Sequence, residues 1–137
     1  HKALQQQFED RTIRKRYTAL LDGALNGKKG AIELPLRVDF HDRPRQLVCF
    51  EHGKSAMTNW ELVGIEKKGT RVHFYPITGR THQLRMHAAH HLGLNAPIVG
   101  DELYGSHGDR LHLHADQITF MHPETGQEMT ITSLVPF

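Results

Sequence analysis

The sequence predicts an α+β fold in which a mostly antiparallel, mixed sheet is accompanied by a few helices. Short runs of alternating apolar and polar residues, separated by glycine, proline and charged turns, are typical of antiparallel strands. Only two stretches, residues 2–14 and 81–94, favour a helix, the first mainly through its good helix formers and the second through its apolar spacing. The chain shows no internal repeat or linker, so residues 1–137 are assigned to one domain.

A short helix and a strand open the chain. Residues 2–14 are rich in good helix formers, and Leu4 and Phe8 share one face of the predicted helix. Residues 15–21 then alternate in polarity, which predicts a strand that ends at Asp22. The apolar positions of this strand are Tyr17, Ala19 and Leu21.

An irregular strand and a β-hairpin follow. The strand centres on Pro35, which confines it to a sheet edge because proline cannot donate a ladder hydrogen bond. Its alternating apolar residues are Ile32, Leu34 and Leu36. After a polar loop over residues 41–45, residues 56–65 and 71–77 flank a turn at 66–70, which predicts a hairpin.

The second predicted helix covers residues 81–94. Thr81 is its predicted N-cap, and Gly93 and Pro97 supply its stop signals. Its buried face should carry three apolar residues spaced four apart, namely Leu84, Ala88 and Leu92. The remaining chain predicts a segment at 111–115, strands at 117–121 and 128–134, and a turn between those strands at 123–126.

Charge and composition exclude several classes of protein. The single cysteine, Cys49, cannot form an internal disulfide, and no apolar stretch is long enough to span a bilayer. We therefore expect a cytoplasmic protein. Residues 1–71 carry 14 Lys and Arg against 9 Asp and Glu, whereas residues 72–137 carry 3 against 6. The basic residues of the first part fall in separate clusters, which suit a phosphate backbone, although a solvated basic surface explains them equally well.

The densest polar cluster spans residues 78–87. A glycine-containing turn that leads into a helix leaves backbone N–H groups free, and anions are favoured there. Arg85 lies off the face that Leu84 buries, so its side chain can point into a cleft. Taken alone, Arg80 and Arg85 would be ordinary surface arginines of a helix.

Five segments in order give the chain a close resemblance to the RluA-type family of RNA pseudouridine synthases. These segments are residues 14–19, 53–58, 76–87, 97–105 and 111–115, which together span nearly the whole chain. The resemblance implies a catalytic domain of the pseudouridine synthase type, acting on RNA without cofactor or metal. The target uridine of a ribosomal or transfer RNA would be flipped out of its stack and isomerised to pseudouridine.

The resemblance also assigns roles to individual residues. Tyr17, in a lysine-x-tyrosine pattern, matches the active-site tyrosine that packs against the flipped uracil and assists in removing the C5 proton. Arg85, in a histidine-glutamine-leucine-arginine pattern, matches the arginine that pairs with the catalytic carboxylate and holds it ionised. Further candidates for substrate contact are Arg80, His82, Gln83 and Lys54.

The family's nucleophilic aspartate has no counterpart here. It belongs to a histidine-arginine-leucine-aspartate segment that precedes the lysine-x-tyrosine strand, and none of the seven aspartates has that neighbourhood. Asp101 matches a different family segment, to which we assign a structural role. We therefore expect a catalytic domain that lacks its N-terminal part, with the nucleophile upstream of this chain and with the isolated chain inactive.

Two other functions stay open at this point. The first is an RNA-binding module without catalysis, and the second is a histidine-rich metal protein in which His87 and His91 share a cation. A metal site is the weaker alternative, since neither a cysteine cluster nor a metalloprotease glutamate is present. We expect Cys49 to be a small buried apolar residue and Trp60 to belong to the core. No protein partner and no membrane contact is inferred.

Overall fold

The computed structural model describes residues 2–9 and 12–137. His1, Asp10 and Arg11 lie outside the described residues, and so does the side chain of Phe8, which was predicted to share one helix face with Leu4. The described fold is α+β and antiparallel, as predicted. It contains helices α1 (Lys2–Glu9) and α2 (Gln83–Ala89) and strands β1 (Arg14–Leu21), β2 (Lys29–Glu33), β3 (Leu36–Val38), β4 (Gln46–Val48), β5 (Met57–Glu66), β6 (Gly69–Pro76), β7 (Leu113–Met121) and β8 (Glu128–Thr132).

Six of the strands form one sheet in the order β2-β5-β6-β1-β7-β8, and every neighbouring pair is antiparallel. Strands β3 and β4 form a separate two-stranded sheet. The hairpin prediction is confirmed, because β5 and β6 pair along their length around a turn at residues 67–68. The single strand predicted around Pro35 is divided there: β2, an outer strand of the large sheet, ends at Glu33, and β3 of the small sheet begins at Leu36.

Strand β1 lies inside the sheet, and its burial differs from the predicted alternation. All four residues of its second half, from Thr18 to Leu21, are buried. This burial follows from the neighbours of the strand: β6 and β7 pair with its two edges, and the segment containing Val99 and His112 hydrogen-bonds the backbone of Leu20. The first helix ends at Glu9 rather than at residue 14, because the chain pairs with β7 from Arg14 onward.

Helix α2 is shorter than predicted. His82, in the left-handed conformation with φ of 54°, precedes its first residue, and no side chain caps it, so the prediction of Thr81 as N-cap was wrong. The helix ends at Ala89 because the chain folds back on it: the N–H of Ala96 donates to the carbonyl of Ala88 at 2.8 Å. Leu84 and Ala88 are buried as predicted, whereas Leu92 is 56% exposed.

The main core lies where α2 packs against the large sheet. Trp60 belongs to this core with 7% of its surface exposed, which confirms the predicted packing role. Cys49 is only half-buried, next to Phe50, which is 69% exposed, so its predicted burial was wrong. Its Sγ accepts the N–H of His52 at 3.3 Å, and this bond lowers the pKa of the thiol. Neither described helix has the length and apolar content needed to cross a membrane.

Candidate active site

A cleft of about 590 Å³ opens where the end of β6 meets the start of α2. Its walls come from β1, from the loop that joins β6 to α2, from the first turn of α2 and from the first residue of β7. Five of the six predicted site residues line it, namely Tyr17, Arg80, His82, Gln83 and Arg85. Residues from three separate parts of the chain therefore converge on one concave surface.

Tyr17 reaches the cleft from the interior strand β1. It stands opposite Phe74 of β6 and, on the other edge, Ala115 of β7. The register with β7 shifts between Arg16 and Tyr17, and such an irregularity changes the direction of the side chain beside it. The half-buried ring also packs against the main core. A strand paired on both edges thus holds this ring rigidly at the cleft, as a stacking role requires.

Gln83 organises the wall of the cleft from within. Its Oε1 accepts the hydroxyl of Thr78 at 2.6 Å and the N–H of Arg80 at 3.0 Å. Its Nε2 donates to the carbonyl of Met57 at 2.9 Å and to Oγ1 of Thr58 at 3.0 Å. The side chain is 4% exposed, and all four of these bonds stay inside the protein. Gln83 therefore ties β5, the loop before α2 and α2 itself into one unit.

A buried histidine extends this network. His87 is fully buried, with Nε2 at 3.0 Å from the carbonyl oxygen of Leu34 and Nδ1 at 2.8 Å from Oγ1 of Thr58. Because a carbonyl only accepts, Nε2 must donate, and Nδ1 then accepts the hydroxyl proton of Thr58. Burial lowers the pKa of His87, although the bond to Leu34 acts in the opposite direction. Neutral His87 and Thr58 together fix the orientation of the Gln83 amide.

Arg85 is held by a bidentate ion pair. Its Nε donates to Oδ2 of Asp101 at 3.0 Å and its Nη2 donates to Oδ1 at 2.7 Å. Oδ1 of Asp101 also accepts the N–H groups of Leu103 at 3.1 Å and Tyr104 at 3.2 Å. The aspartate side chain is fully buried, whereas that of the arginine is 19% exposed. The Asp101 carboxylate thus holds the edge of the guanidinium that carries Nε and Nη2, and Arg85 lines the cleft.

Both members of this pair keep their charge. Burial alone would raise the pKa of Asp101, but the hydrogen bonds from Arg85 and from the backbone of Tyr104 outweigh it and lower the pKa below its ordinary value. The hydrogen bond to Asp101 likewise raises the pKa of Arg85, against the opposing effect of burial. The cleft therefore contains a fixed positive charge at neutral pH.

Tyr104 connects Arg85 to His82. The Arg85 guanidinium lies 5.4 Å from the centre of the Tyr104 ring, and the Tyr104 hydroxyl is 2.8 Å from Nδ1 of His82. That hydroxyl accepts the N–H of Gln46 at 2.9 Å, which leaves its own proton free to donate to Nδ1. Burial first, and the positive charge of Arg85 second, lower the pKa of His82. His82 is accordingly neutral at pH 7.

Lys54 is the one predicted site residue outside this cleft. It is exposed and lines a second cleft of about 820 Å³ beside the first. Gly79 and Arg80 line both clefts, and Nε of Arg80 donates to the carbonyl of Ser55 at 2.9 Å. Arg80 therefore stands on the ridge between them.

The structure does not place His87 and His91 where they could share a metal ion. Both ring nitrogens of His87 are engaged with protein groups, and the helix ends before His91. Within residues 2–9 and 12–137, no group of three His, Cys, Asp or Glu residues could hold a metal ion.

Sequence reasoning missed the roles of two residues. Asp101 was assigned a structural role without a partner, and Tyr104 was quoted within its segment but given no role. The structure makes both of them direct neighbours of Arg85. The local sequence around residues 101–104 carried the signal that this segment matters, but not which side chain it contacts.

Comparisons with known proteins agree with these observations. A family model described as RNA pseudouridylate synthase matches residues 1–90. The chain is 44% identical over 141 residues to the dual-specificity RNA pseudouridine synthase RluA of Haemophilus ducreyi, covering 96% of this chain and 62% of the relative. It is 41% identical over 140 residues to the protein of the same name from Escherichia coli K12, covering 98% of this chain and 63% of that relative.

Solved structures show the same fold. Human RNA pseudouridylate synthase domain containing 1 superimposes with a TM-score of 0.82 at 25% identity, covering 99% of this chain and 60% of that one. Human RNA pseudouridylate synthase domain containing 4 gives a TM-score of 0.78 at 22% identity, covering 98% of this chain and 62% of that one. The chain thus spans about three fifths of the length of the proteins that it matches here.

Proposed function

The chain belongs to the RNA pseudouridylate synthase family, and on this premise we propose that its protein isomerises uridine to pseudouridine within RNA. The observation that carries the proposal is the cleft in which the Tyr17 ring and the fixed Arg85 guanidinium line one surface. These two groups suit a flipped uracil, because one offers an aromatic face and the other a directed positive charge. The substrates are ribosomal or transfer RNAs, and the reaction takes place in the cytoplasm.

The reaction moves one bond and exchanges one proton. The glycosidic bond from C1′ to N1 of the uracil breaks, a bond from C1′ to C5 forms, C5 loses its hydrogen and N1 gains one. This balance needs no oxidant, no reductant and no second substrate. Release of hydrogen from C5 to water is its direct readout.

Arg85 is the proposed partner of the reacting carboxylate. Asp101 already engages Nε and Nη2, and within the described part of the chain Nη1 has no hydrogen-bond partner. Nη1 can therefore hold a second carboxylate ionised at the cleft while Asp101 maintains the orientation of the guanidinium. We propose that this second carboxylate is the nucleophilic aspartate and that it comes from sequence upstream of this chain. Tyr17 packs against the uracil and assists in removing the C5 proton.

The remaining predicted residues receive proposed roles in substrate binding. Arg80, on the ridge between the clefts, and Lys54, in the second cleft, supply positive charge for phosphates. His82 is neutral and offers Nε2 as a hydrogen-bond donor when Nδ1 accepts from Tyr104. Gln83 supports binding indirectly, because all four hydrogen bonds of its amide stay within the protein and one of them holds the backbone N–H of Arg80.

A second candidate function is RNA binding without catalysis by these 137 residues alone. It is favoured by one observation: among the described residues that line the first cleft, none is an aspartate or glutamate. The two candidates share the same surface and differ only in whether sequence outside these 137 residues supplies a nucleophile to it.

Tritium release from RNA labelled at uridine C5 tests both candidates. The assay should compare the 137-residue chain with the protein encoded by the longest reading frame that contains it. Release by the longer protein alone supports the proposed enzyme with an upstream nucleophile. Release by neither leaves RNA binding as the supported function, whereas release by the short chain would refute the upstream position of the nucleophile.

A further inference from the structure

The second cleft carries more positive charge than the two phosphate contacts proposed above for Lys54 and Arg80. It lies between the β3–β4 sheet and the loop before α2, and three of the residues that line it are cationic: Arg37, Lys54 and Arg80. Within the described part of the chain, no carboxylate lines it. A groove with this charge attracts a polyanion, because each phosphate it binds releases a condensed counterion.

Three acidic residues lie close to this groove in the sequence, and each makes a local contact. Asp42 pairs with Arg45 at 2.9 Å, and Oδ1 of Asp39 accepts the N–H of His41 at 3.1 Å. Glu51 lies 3.6 Å from the ring of His52. None of these three acidic residues lines the groove, so its cations are not matched by carboxylates within it.

An exposed aromatic ring lies among these cations. Phe40, just after β3, lines the groove and is 57% exposed. The guanidinium of Arg37 is 5.1 Å from the centre of its ring and that of Arg43 is 5.2 Å away. An accessible ring held among arginines is the arrangement that proteins use to stack bases of single-stranded nucleic acid, because every base offers a π face.

The groove is continuous with the cleft that holds Tyr17 and Arg85. Both are lined by Gly79 and Arg80, so a strand that leaves the first cleft can enter the second directly. Charge, an accessible aromatic ring and this continuity together favour a chain of nucleotides over an isolated phosphate.

We propose that this second cleft binds single-stranded RNA next to the target uridine and that Phe40 stacks on one of its bases. The proposal rests on the proposed function, because it extends the path of the same RNA. The phosphates of this strand contact Arg37, Lys54 and Arg80. Target selection would then depend on unpaired nucleotides beside the uridine as well as on the uridine itself.

The test uses the protein from the longest reading frame and three fluorescent RNA probes. One probe is five nucleotides long with a central uridine between adenosines, and the second extends the adenosines to fifteen nucleotides. The third has the same length but carries abasic sugars in place of the outer adenosines. Affinity is measured by fluorescence anisotropy for the wild type and for Phe40→Ala, Phe40→Trp and Phe50→Ala.

Phe50→Ala is the matched control. Phe50 is also an exposed phenylalanine, at 69%, but the cleft that it lines contains Glu33 and, among its described residues, no cation. We expect Phe40→Ala to weaken binding of the fifteen-nucleotide probe by about 5- to 100-fold, the range that corresponds to stacking of one base. Phe40→Trp should bind at least as tightly as the wild type, and Phe50→Ala should match it.

The probes separate base stacking from charge. Lengthening the RNA should increase the affinity of the wild type far more than that of Phe40→Ala, and abasic ends should remove this difference. Replacing Arg37 or Lys54 by glutamine should reduce the slope of log affinity against log salt by about 0.7 each. Equal affinities for Phe40→Ala and Phe50→Ala, or a Phe40→Ala defect that persists on abasic ends, would overturn the proposal.

Failure of the proposed function would look different. If the wild type neither binds the probes nor releases tritium, the proposed function and this inference fall together. If the wild type converts uridine and Phe40→Ala binds the long probe normally, only the inference falls. Thermal melting of each variant confirms that a lost interaction does not reflect lost folding.

Discussion

Arg85 and Asp101 are joined by two parallel hydrogen bonds in which the carboxylate is fully buried and the guanidinium reaches the cleft. A buried charge is tolerated only when it is paired and hydrogen-bonded, and Asp101 meets this condition through Arg85 and two backbone N–H groups. Under the proposed function the pair would serve both folding and activity, because the group that satisfies the buried carboxylate is the group proposed to act in the cleft.

Arg85→Lys should abolish most of the activity and retain the fold. An ammonium group cannot reproduce the two parallel bonds to Asp101 and still offer a directed donor to the cleft. We expect the rate of tritium release to fall by about 100-fold or more, the scale seen when an oriented charged donor is lost from an active site.

The control is Arg71→Lys, because Arg71 forms a similar bidentate pair with Glu66 at the β5–β6 hairpin, away from the cleft. This variant should keep the activity of the wild type. If Arg85→Lys turns over RNA at nearly the same rate as Arg71→Lys, Arg85 has no part in the reaction.

Asp101→Asn should remove an acid-dependent part of the stability. The pKa of Asp101 is lowered in the folded protein, so its contribution is complete above the unfolded pKa, about 3.9, and is lost as the pH falls through the folded value. At pH 7 we expect the free energy of unfolding of the variant to be about 3 kcal/mol lower than that of the wild type.

Denaturant titrations of the wild type and Asp101→Asn across pH 7 to 2 check this prediction. The difference between their free energies of unfolding should shrink as the pH falls below about 4. Taking the difference removes the similar acid dependence of Glu61 and Glu66, whose pKa values are also lowered. A difference that stays constant with pH would contradict the ionised state of Asp101.

Two buried threonines should respond in opposite ways to replacement by valine. Thr58→Val removes the hydroxyl that donates to His87 and accepts from Gln83, which leaves Nδ1 of His87 and one N–H of the Gln83 amide without a partner. The expected loss is about 2–4 kcal/mol. The hydroxyl of Thr18 is buried and has no partner among the described residues, so Thr18→Val should be neutral or more stable by up to about 1 kcal/mol.

Both variants keep a β-branched residue in a strand, so the comparison isolates the hydroxyl. Chemical denaturation at pH 7 measures the two changes. Similar destabilisation of Thr58→Val and Thr18→Val would mean that the network through Gln83 adds little to the folding free energy.

Gly100→Ala should disrupt the loop that places Asp101. Gly100 has a φ of 81°, and a Cβ atom there would overlap the carbonyl oxygen of Arg110. We expect a loss of about 3 kcal/mol or more in stability and a matching loss of activity. At Gly64 a Cβ meets no described atom within 4 Å, so Gly64→Ala should change stability by less than about 0.5 kcal/mol. Thermal melting distinguishes the two variants, and equal melting temperatures would contradict the prediction.

Short-range patterns predicted the antiparallel sheet and the β5–β6 hairpin. They succeed because side-chain alternation and turn chemistry are properties of a few neighbouring residues. The same patterns failed at helix α2, where Thr81 and Leu92 fit a longer helix. The helix ends through contact with a later segment, because the chain folds back and the N–H of Ala96 donates to the carbonyl of Ala88.

The sequence by itself determined the family and the identity of the polar residues that gather at the cleft, because ordered motifs carry that information locally. Only the tertiary structure decided which groups meet: Asp101 behind Arg85, the Tyr104 hydroxyl on His82, and Lys54 in a separate groove. These pairings join residues 16 or more positions apart and depend on how loops cross the sheet. Their physical basis is the need to satisfy each buried charge and polar atom, which no single segment can do alone.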